Sequence, residues 1–321
     1  MTGPGRPSVT AASAGPAPDD LLPLAELLER IDVFRGRDCT VAELPGGLTN
    51  RNYKVTTEAG SFVLRRASPK ASALSVNREH EYRNSVIAAA SGVGAPVVDY
   101  LPAESAMVVG FIEGATFTDA TFGLPGIIER VAAACRRLHD GPRFVNDFNM
   151  FDIQRGYLRT VVGRGYRLPD DYLDFAAELE RIRGALAVRE EATVACNNDL
   201  LAGNFIDGGD RIRLIDYEYA GNNDACFELG NIWSECHLDD DQLEELVSCY
   251  YGRRRVSKLA RARLQGLVSQ YGWTLWASIQ EATSDLDFDF WTWGLEKYDR
   301  AAGVLRSPQL DRLIELVQAD D

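Results

Sequence analysis

The sequence predicts an α+β protein in which antiparallel strands come first and helices fill most of the remaining chain. Strand-like apolar segments separated by turn residues occur at 41–55, 61–66, 97–100 and 106–112. From Thr118 onward, apolar residues recur at helical spacing. With 321 residues, of which 45% are hydrophobic, the chain is long enough for one large core or for two lobes.

The predicted elements follow one another in a simple order. Residues 1–18 are mainly Pro, Gly, Ala, Ser and Thr, which predicts a disordered lead. Helices are expected at 21–34 and 77–91. We therefore expect an N-terminal lobe at 19–112 and a mostly helical C-terminal lobe at 113–321.

Composition argues against several classes of protein. The net charge of −14 disfavours nucleic acid as a partner, because phosphate backbones are bound by excess Lys and Arg. The same acidity is a weak indication of a small cationic substrate. No apolar run is long enough to span a bilayer and no secretory leader is recognised, so we expect no membrane association and a cytoplasmic location. The six cysteines form no C-x-x-C pair and are expected to be buried thiols.

Two neighbouring segments carry the strongest functional signal. Asp199 lies in a polar loop, Asn204 follows five positions later, and Asp216 ends an apolar run. A loop, a short strand, a Gly-Gly-Asp turn and a second strand would bring these side chains to one end of a hairpin. Phosphoryl transfer needs a carboxylate that accepts the proton of the attacking hydroxyl, and oxygen ligands for Mg²⁺. An unrelated surface turn followed by a strand is the alternative.

A glycine turn between two strands is a candidate phosphate-binding loop. Gly46 and Gly47 allow the backbone to approach a ligand closely, and the N–H groups that follow, with Thr49 and Asn50, can hold phosphate oxygens. A Gly-Gly hairpin turn without a ligand is the alternative. The Walker spacing is absent, which disfavours a P-loop protein.

Arg65 lies on the next strand, where kinases carry the cation that meets the α and β phosphates. Its fork of donors can hold phosphate through two bonds. The acidic partner of Arg65 is expected on the helix that follows, and counting along the sequence favours Glu81 over Glu79 for this position.

Aromatic residues cluster near the C-terminus, where four of the five tryptophans occur: Trp273, Trp276, Trp291 and Trp293. A quaternary ammonium donates no hydrogen bonds, so a site for it uses aromatic faces. Aromatic residues at helical spacing are otherwise usually core, and both interpretations stay open.

These segments resemble the choline and ethanolamine kinase branch of the aminoglycoside phosphotransferase superfamily. Sequences of that branch typically have CHNDLLxxNFI and IDWEYAGxNDxxFDLxN, where this chain has CNNDLLAGNFI and IDYEYAGNNDACFELGN. GGLTNRNYKV is similar to the branch's nucleotide loop, and GWTLWASIQ to its FWGLWSxxQ helix. The resemblance covers roughly residues 40–300 and implies a bilobal protein-kinase-like fold that uses ATP and Mg²⁺.

The resemblance also implies roles for single residues. Asp199 is the catalytic base, Asn204 and Asp216 bind Mg²⁺, and Arg65 replaces the Lys of related kinases. Asn197 stands in place of a His that braces the metal-binding turn, and an Asn amide can donate a similar hydrogen bond.

The substrate side is matched in the same way. Phe111 and Ile112 resemble the lobe connector that receives adenine, and a plain buried strand leading into a turn is the alternative. Trp273 and Trp276 match the ammonium cage, and Glu235 matches an acidic position beside it. Trp291, Trp293 and Tyr298 are further cage candidates from a looser match.

The reaction implied is transfer of the ATP γ-phosphoryl group to the hydroxyl of choline or an ethanolamine-like amino alcohol. Two alternatives stay open: another small-molecule or antibiotic phosphotransferase of the superfamily, and a catalytically silent choline-binding module, which the loss of the His at Asn197 suggests. The sequence does not decide between choline and ethanolamine, or between a monomer and a homodimer.

Overall fold

The computed structural model of the chain describes residues 9–11, 22–45, 50–67 and 76–321. The predicted phosphate-loop residues Gly46, Gly47 and Thr49 lie outside these ranges. Asn50, at the end of that loop, is described and is buried.

A six-stranded sheet forms the N-terminal lobe. Its strands are β1 (Val9–Ala11), β2 (Cys39–Leu44), β3 (Asn50–Thr57), β4 (Gly60–Ala67), β5 (Val97–Leu101) and β6 (Ala106–Gly110). The spatial order is β1-β2-β3-β4-β6-β5, and the pairs are antiparallel except for the parallel pair of β1 and β2. The predicted strands and hairpins of this lobe are therefore confirmed.

Two helices accompany this sheet, α1 (Leu24–Arg30) and α2 (Arg78–Ala90). Side chains alternate across a strand, so Tyr53 and Val55 of β3 share a buried face, and they belong to one core cluster with Leu27 of α1. Helix α2 begins after Asn77, whose side chain accepts the backbone N–H of His80 at 3.1 Å. That is the capping interaction which starts a helix, because it satisfies a backbone N–H of the first turn that has no partner within the helix.

Strand β1 (Val9–Ala11) falls within the segment predicted as a disordered lead. These residues pair in parallel with Cys39–Val41 of β2. Without them, β2 would be an edge strand with a row of unpaired backbone groups, and an edge of that kind readily accepts a further strand.

The C-terminal lobe is mostly helical. Its helices are α3 (Ile127–His139), α4 (Met150–Arg164), α5 (Ala176–Val188), α6 (Ala225–Glu235), α7 (Asp240–Tyr251), α8 (Val256–Thr283), α9 (Phe290–Leu305) and α10 (Gln309–Val317). Short strands complete it: β7 (Ala115–Thr116), β8 (Val194–Cys196), β9 (Phe205–Asp207), β10 (Ile212–Leu214) and β11 (Gly221–Asn223). The predicted α+β fold class, with an antiparallel first lobe and a helical second lobe, is confirmed.

Helix α8 is the central element of this lobe, and it is buried along most of its length. Helix α6 crosses it at Gly230, where an added Cβ would lie 2.1 Å from the carbonyl oxygen of Ala262. Only glycine permits this approach of the two backbones. The crossing fixes the position of α6, which lies beneath the site described next.

The chain passes from the first lobe to the second over residues 111–114. After Gly110 ends β6, strand β7 pairs with β9, so the connecting segment borders the region where the lobes meet. Within the described ranges, no helix has the length and apolar character that crossing a bilayer requires.

Candidate active site

The strand-turn-strand unit of β9 and β10 gathers Asp199, Asn204 and Asp216. Asn204 ends a short 3-10 helix, Ala202–Asn204, and its Nδ2 donates to the carbonyl oxygen of Asp199 at 2.7 Å. The backbone N–H of Ile215 donates to the carbonyl oxygen of Asn204 at 3.0 Å. All three predicted side chains line one cavity.

Asn197 joins the two halves of this unit. Its Nδ2 donates to the carbonyl oxygens of Ile215, at 3.1 Å, and Asp216, at 2.8 Å. Its Oδ1 accepts the backbone N–H of Asp199 at 3.1 Å. Asp216 has a φ of +62°, a left-handed conformation that costs a non-glycine residue energy and persists only when its surroundings hold it. The Asn197 side chain therefore donates two hydrogen bonds to the turn that carries Asp216, and it accepts one from the loop that carries Asp199.

Glu228 of α6 holds the same loop from below. Its two carboxylate oxygens accept the backbone N–H groups of Asn197, at 2.9 Å, and Asn198, at 2.7 Å. Glu228 is fully buried, so these charge-assisted bonds are protected from water. Glu228 was not among the predicted site residues, although it lies in the CFELGN segment.

Arg65 lies at the centre of a network of charges between the lobes. Its Nη2 is 2.6 Å from Asp216 Oδ1 and 3.2 Å from Glu81 Oε1. Burial by itself lowers the pKa of the Arg65 guanidinium, but Asp216 and Glu81 more than offset this and raise it above its usual value. The expected pairing of Arg65 with Glu81, and not Glu79, is thus present.

The network includes Arg78 and Glu218, two residues that were not predicted from the sequence. Arg78 Nη1 contacts Glu81 Oε2 at 2.6 Å and Glu218 Oε2 at 3.2 Å. Asn50 Nδ2 donates to the same oxygen of Glu218 at 3.0 Å. These bonds link the end of the predicted phosphate loop to the segment that carries Asp216.

Two carboxyl groups here have shifted pKa values. Burial raises the pKa of Asp199 well above its usual value, and the nearby Glu235 and Asp216 raise it further. Burial likewise raises the pKa of Glu218, to about 7, with Asp216 and Glu81 contributing. A carboxylate with a raised pKa is a stronger proton acceptor, which is the property a general base needs.

The cavity has a volume of about 590 Å³ and runs between the two lobes. One end is apolar and is lined by Leu44, Val63, Val109, Phe111 and Ile112. Phe111 also carries the Nζ of Lys54 at 3.7 Å from its ring centroid. The predicted connector residues therefore face an apolar pocket of the kind a planar base occupies.

Aromatic rings form the wall on the other side of Asp199. This wall consists of Tyr219, Trp273, Trp276 and Trp293, all of which line the cavity. Tyr219 and Trp273 meet edge to face with centroids 5.0 Å apart, and Trp276 and Trp293 do so at 5.5 Å. Trp276 Nε1 donates to the hydroxyl of Tyr219 at 2.8 Å, which fixes both rings. We call these four residues the aromatic wall; Tyr219 was not predicted, although it lies in the quoted IDYEYAG segment.

Three predicted substrate residues lie elsewhere. Trp291 packs under the guanidinium of Arg167, 3.7 Å from the ring centroid, because its position on α9 turns it away from α8. Tyr298 is a core residue whose ring stacks on Tyr172 at 5.9 Å. Trp291 and Tyr298 are close in sequence to Trp293, but the helical geometry of α9 places them on faces different from its own.

Glu235, the third of these residues, is paired within the protein. Its Oε2 accepts from Lys297 Nζ at 2.5 Å, and both residues are buried. The acid expected beside the substrate ammonium thus faces an ammonium that belongs to the chain.

The donor set fits a hard divalent cation. Asp216 offers a carboxylate and Asn204 an amide oxygen, since the Nδ2 of Asn204 is occupied by Asp199. Mg²⁺ prefers such oxygen ligands and completes its shell with water and phosphate oxygens. The arrangement therefore combines a raised-pKa carboxylate, metal-type oxygens, a buried cation and an apolar pocket in one interlobe cleft, which defines a phosphotransferase of the protein-kinase-like fold.

Comparisons with known proteins agree with this class and narrow it. The family model described as "Phosphotransferase enzyme family" matches residues 40–266. Protein LicA of Haemophilus influenzae is 28% identical over 278 residues, covering 81% of this chain and 78% of LicA. Ethanolamine kinase 2 of Rattus norvegicus is 25% identical over 348 residues, covering 97% of this chain and 88% of the rat protein.

A solved structure gives the finer assignment. The choline/ethanolamine kinase family protein of Mesorhizobium loti superposes with a TM-score of 0.81 at 30% identity, covering 91% of this chain and 97% of the other. The chain belongs to the phosphotransferase enzyme family and, within it, to the choline/ethanolamine kinase family. It is an ATP-dependent, kinase-like enzyme.

Proposed function

We propose that this chain transfers the γ-phosphoryl group of ATP to the hydroxyl of choline. The observation that carries the proposal is that one cavity contains both Asp199 with Asn204 and Asp216, and the aromatic wall. An acceptor bound against the wall has its hydroxyl next to the base, since both border the same space. The two ends of choline, a cation and a hydroxyl two carbons away, match that arrangement.

The nucleotide is held at the opposite end of the cleft. The adenine ring enters the apolar pocket at Phe111 and Ile112, and the phosphates extend toward Arg65 and Asn50. Arg65 pairs with Asp216 and Glu81, so it is held in place by charges whose geometry is already set. Gly46, Gly47 and Thr49 are proposed to contribute backbone and hydroxyl donors from the loop that precedes Asn50. Mg²⁺, held by Asn204 and Asp216, would neutralise charge on the phosphates.

Asp199 acts as the base. Its raised pKa suits the removal of a proton from the acceptor hydroxyl as the phosphoryl group arrives. The backbone of Asp199 is held on both sides, since Asn204 donates to its carbonyl oxygen and Asn197 accepts its N–H. Catalysis then depends mainly on positioning and charge, as is usual for phosphoryl transfer.

The aromatic wall receives the ammonium group. A trimethylammonium has no N–H to donate, so ring faces are its natural partners, each contributing on the order of 1 kcal/mol or more when water is excluded. Ethanolamine is the second candidate acceptor, because some relatives are named ethanolamine kinases. The tryptophans argue against an antibiotic phosphotransferase, because a polar aminocyclitol needs hydrogen-bond partners.

The test is a coupled ADP-release assay with ATP and Mg²⁺ against choline, ethanolamine and a panel of aminoglycosides, with product identified by mass spectrometry. We expect turnover with choline, and its loss in Asp199→Asn, a variant that removes the charge and keeps the shape. Choline binding that quenches tryptophan fluorescence without formation of phosphocholine would instead identify a silent binding module. Turnover with aminoglycosides alone would contradict the proposal.

A further inference from the structure

A buried ion pair lies beside the aromatic wall. Lys297 of α9 and Glu235 of α6 are 6% and 5% exposed, and their charged atoms are 2.5 Å apart. Lys297 Nζ also lies 4.0 Å from the centroid of the Trp293 ring. Because Lys297 follows Trp293 by one helical turn, its stem runs along the indole and its charge reaches α6.

Lys297 therefore occupies the two kinds of partner that an ammonium ligand uses, a carboxylate and an aromatic face. Trp293 belongs to the aromatic wall, where the acceptor's own ammonium is proposed to bind. The chain's own ammonium and its carboxylate partner therefore lie against one ring of that wall.

The pair changes what the site can recognise. The other carboxylates that line the cavity besides the base are engaged: Asp216 with Arg65, and Glu218 with Arg78 and Asn50. The aromatic wall presents rings to the same cavity as Asp199. A primary ammonium has three N–H donors, and removing them from water without acceptors is costly. A quaternary ammonium has no such donors, so it gives up no hydrogen bonds to water when it meets ring faces.

We propose that Lys297 is a specificity-determining residue: by occupying Glu235, it makes the acceptor site select a quaternary over a primary ammonium. The proposal rests on the function proposed above and deepens it, since it names the methylation state of the acceptor. Removal of Lys297 leaves the Glu235 carboxylate to a primary ammonium, and so it is expected to open the site to ethanolamine.

The experiment compares kcat/KM for choline and ethanolamine in the wild type, in Lys297→Met and in Lys297→Arg. Methionine matches the length of the lysine stem and removes the charge, whereas arginine keeps a cation for Glu235. The wild type and Lys297→Arg are expected to prefer choline. In Lys297→Met the ethanolamine-to-choline ratio is expected to rise about tenfold or more, the value of one charge-assisted hydrogen bond.

A double variant, Lys297→Met with Glu235→Gln, guards against failure of the single variant to fold with an uncompensated buried carboxylate. With no carboxylate to receive a primary ammonium, the double variant is expected to keep the preference for choline. Equal or better use of ethanolamine by the wild type, a preference for ethanolamine in the double variant, or an unchanged ratio in folded Lys297→Met would each overturn the proposal.

Binding separates this proposal from the proposed reaction. Quenching of tryptophan fluorescence is titrated with choline and with ethanolamine in the absence of ATP, which reports on amine binding without the reaction. Choline-selective binding that is lost in Lys297→Met, with no turnover by the wild type, contradicts the proposed reaction but supports the role of Lys297. Turnover of choline and ethanolamine with equal efficiency supports the reaction and overturns the role of Lys297. Absence of binding by either amine overturns both.

Discussion

Substitution of Asn197 by alanine tests how the catalytic unit is held together. The change removes two donors and one acceptor, and it leaves the carbonyls of Ile215 and Asp216 and the N–H of Asp199 without these partners. Asn197 itself is fully buried, but the three residues it serves border the cleft, where water replaces part of what is lost.

At about 1 kcal/mol for each lost bond, the free energy of unfolding is expected to fall by about 3 kcal/mol. The left-handed Asp216 then loses the contacts that hold it, and a displacement of about 1 Å in a metal-binding or catalytic group typically lowers the rate by about 100-fold. We therefore expect kcat to fall by about that factor, measured as ADP release at saturating ATP and acceptor.

Two further variants make the measurement specific. Asn197→His restores one donor, since a neutral imidazole has a single N–H, and should recover part of both losses. Asn149→Ala removes the capping bond to Phe151 N at the start of α4, 2.9 Å long, far from the loop in sequence. It should cost about 1 kcal/mol of stability without changing kcat. If Asn197→Ala loses less than about 0.5 kcal/mol and keeps kcat within about threefold, Asn197 is not the brace described here.

Three other outcomes are expected. Gly230→Ala forces a Cβ against the carbonyl of Ala262 and should lower the free energy of unfolding, measured by urea titration, by about 1–3 kcal/mol. Gly163→Ala has open space around the added Cβ and should be neutral or stabilising. Equal effects of the two variants would contradict the close crossing of α6 and α8. Because burial raises the pKa of Asp199, kcat should decline as the pH falls through a pKa well above that of an ordinary aspartate. A pH-rate profile whose acid limb lies near the pKa of an ordinary aspartate would contradict the role of Asp199 as the base. Arg65→Met removes the cation held between the lobes and should raise the KM for ATP far more than the KM for the acceptor. Initial-rate kinetics measures both constants. Equal changes in the two KM values would show that Arg65 is not a nucleotide ligand.

The sequence by itself determined the parts of the site that lie close together in the chain. Asp199, Asn204 and Asp216 belong to one strand-turn-strand unit, whose geometry follows from short apolar strands and a glycine turn. The antiparallel first lobe and the helical second lobe were predictable for the same reason, since period-two and period-3.6 patterns are local. Counting along the sequence favoured Glu81 over Glu79 as the partner of Arg65, and the structure pairs Arg65 with Glu81.

Contacts between distant segments could not be predicted from local sequence patterns. Glu228 beneath the catalytic loop depends on where α6 crosses α8, and nothing in its own neighbourhood predicts that it receives two backbone N–H groups. Trp293 faces the cleft while Trp291 faces Arg167, because the rotation of α9 about its axis is set by packing and not by local sequence. The pairing of Lys297 with Glu235 joins two helices far apart in the chain. Charges that come from different helices become partners only when burial removes the water that would otherwise have solvated each of them.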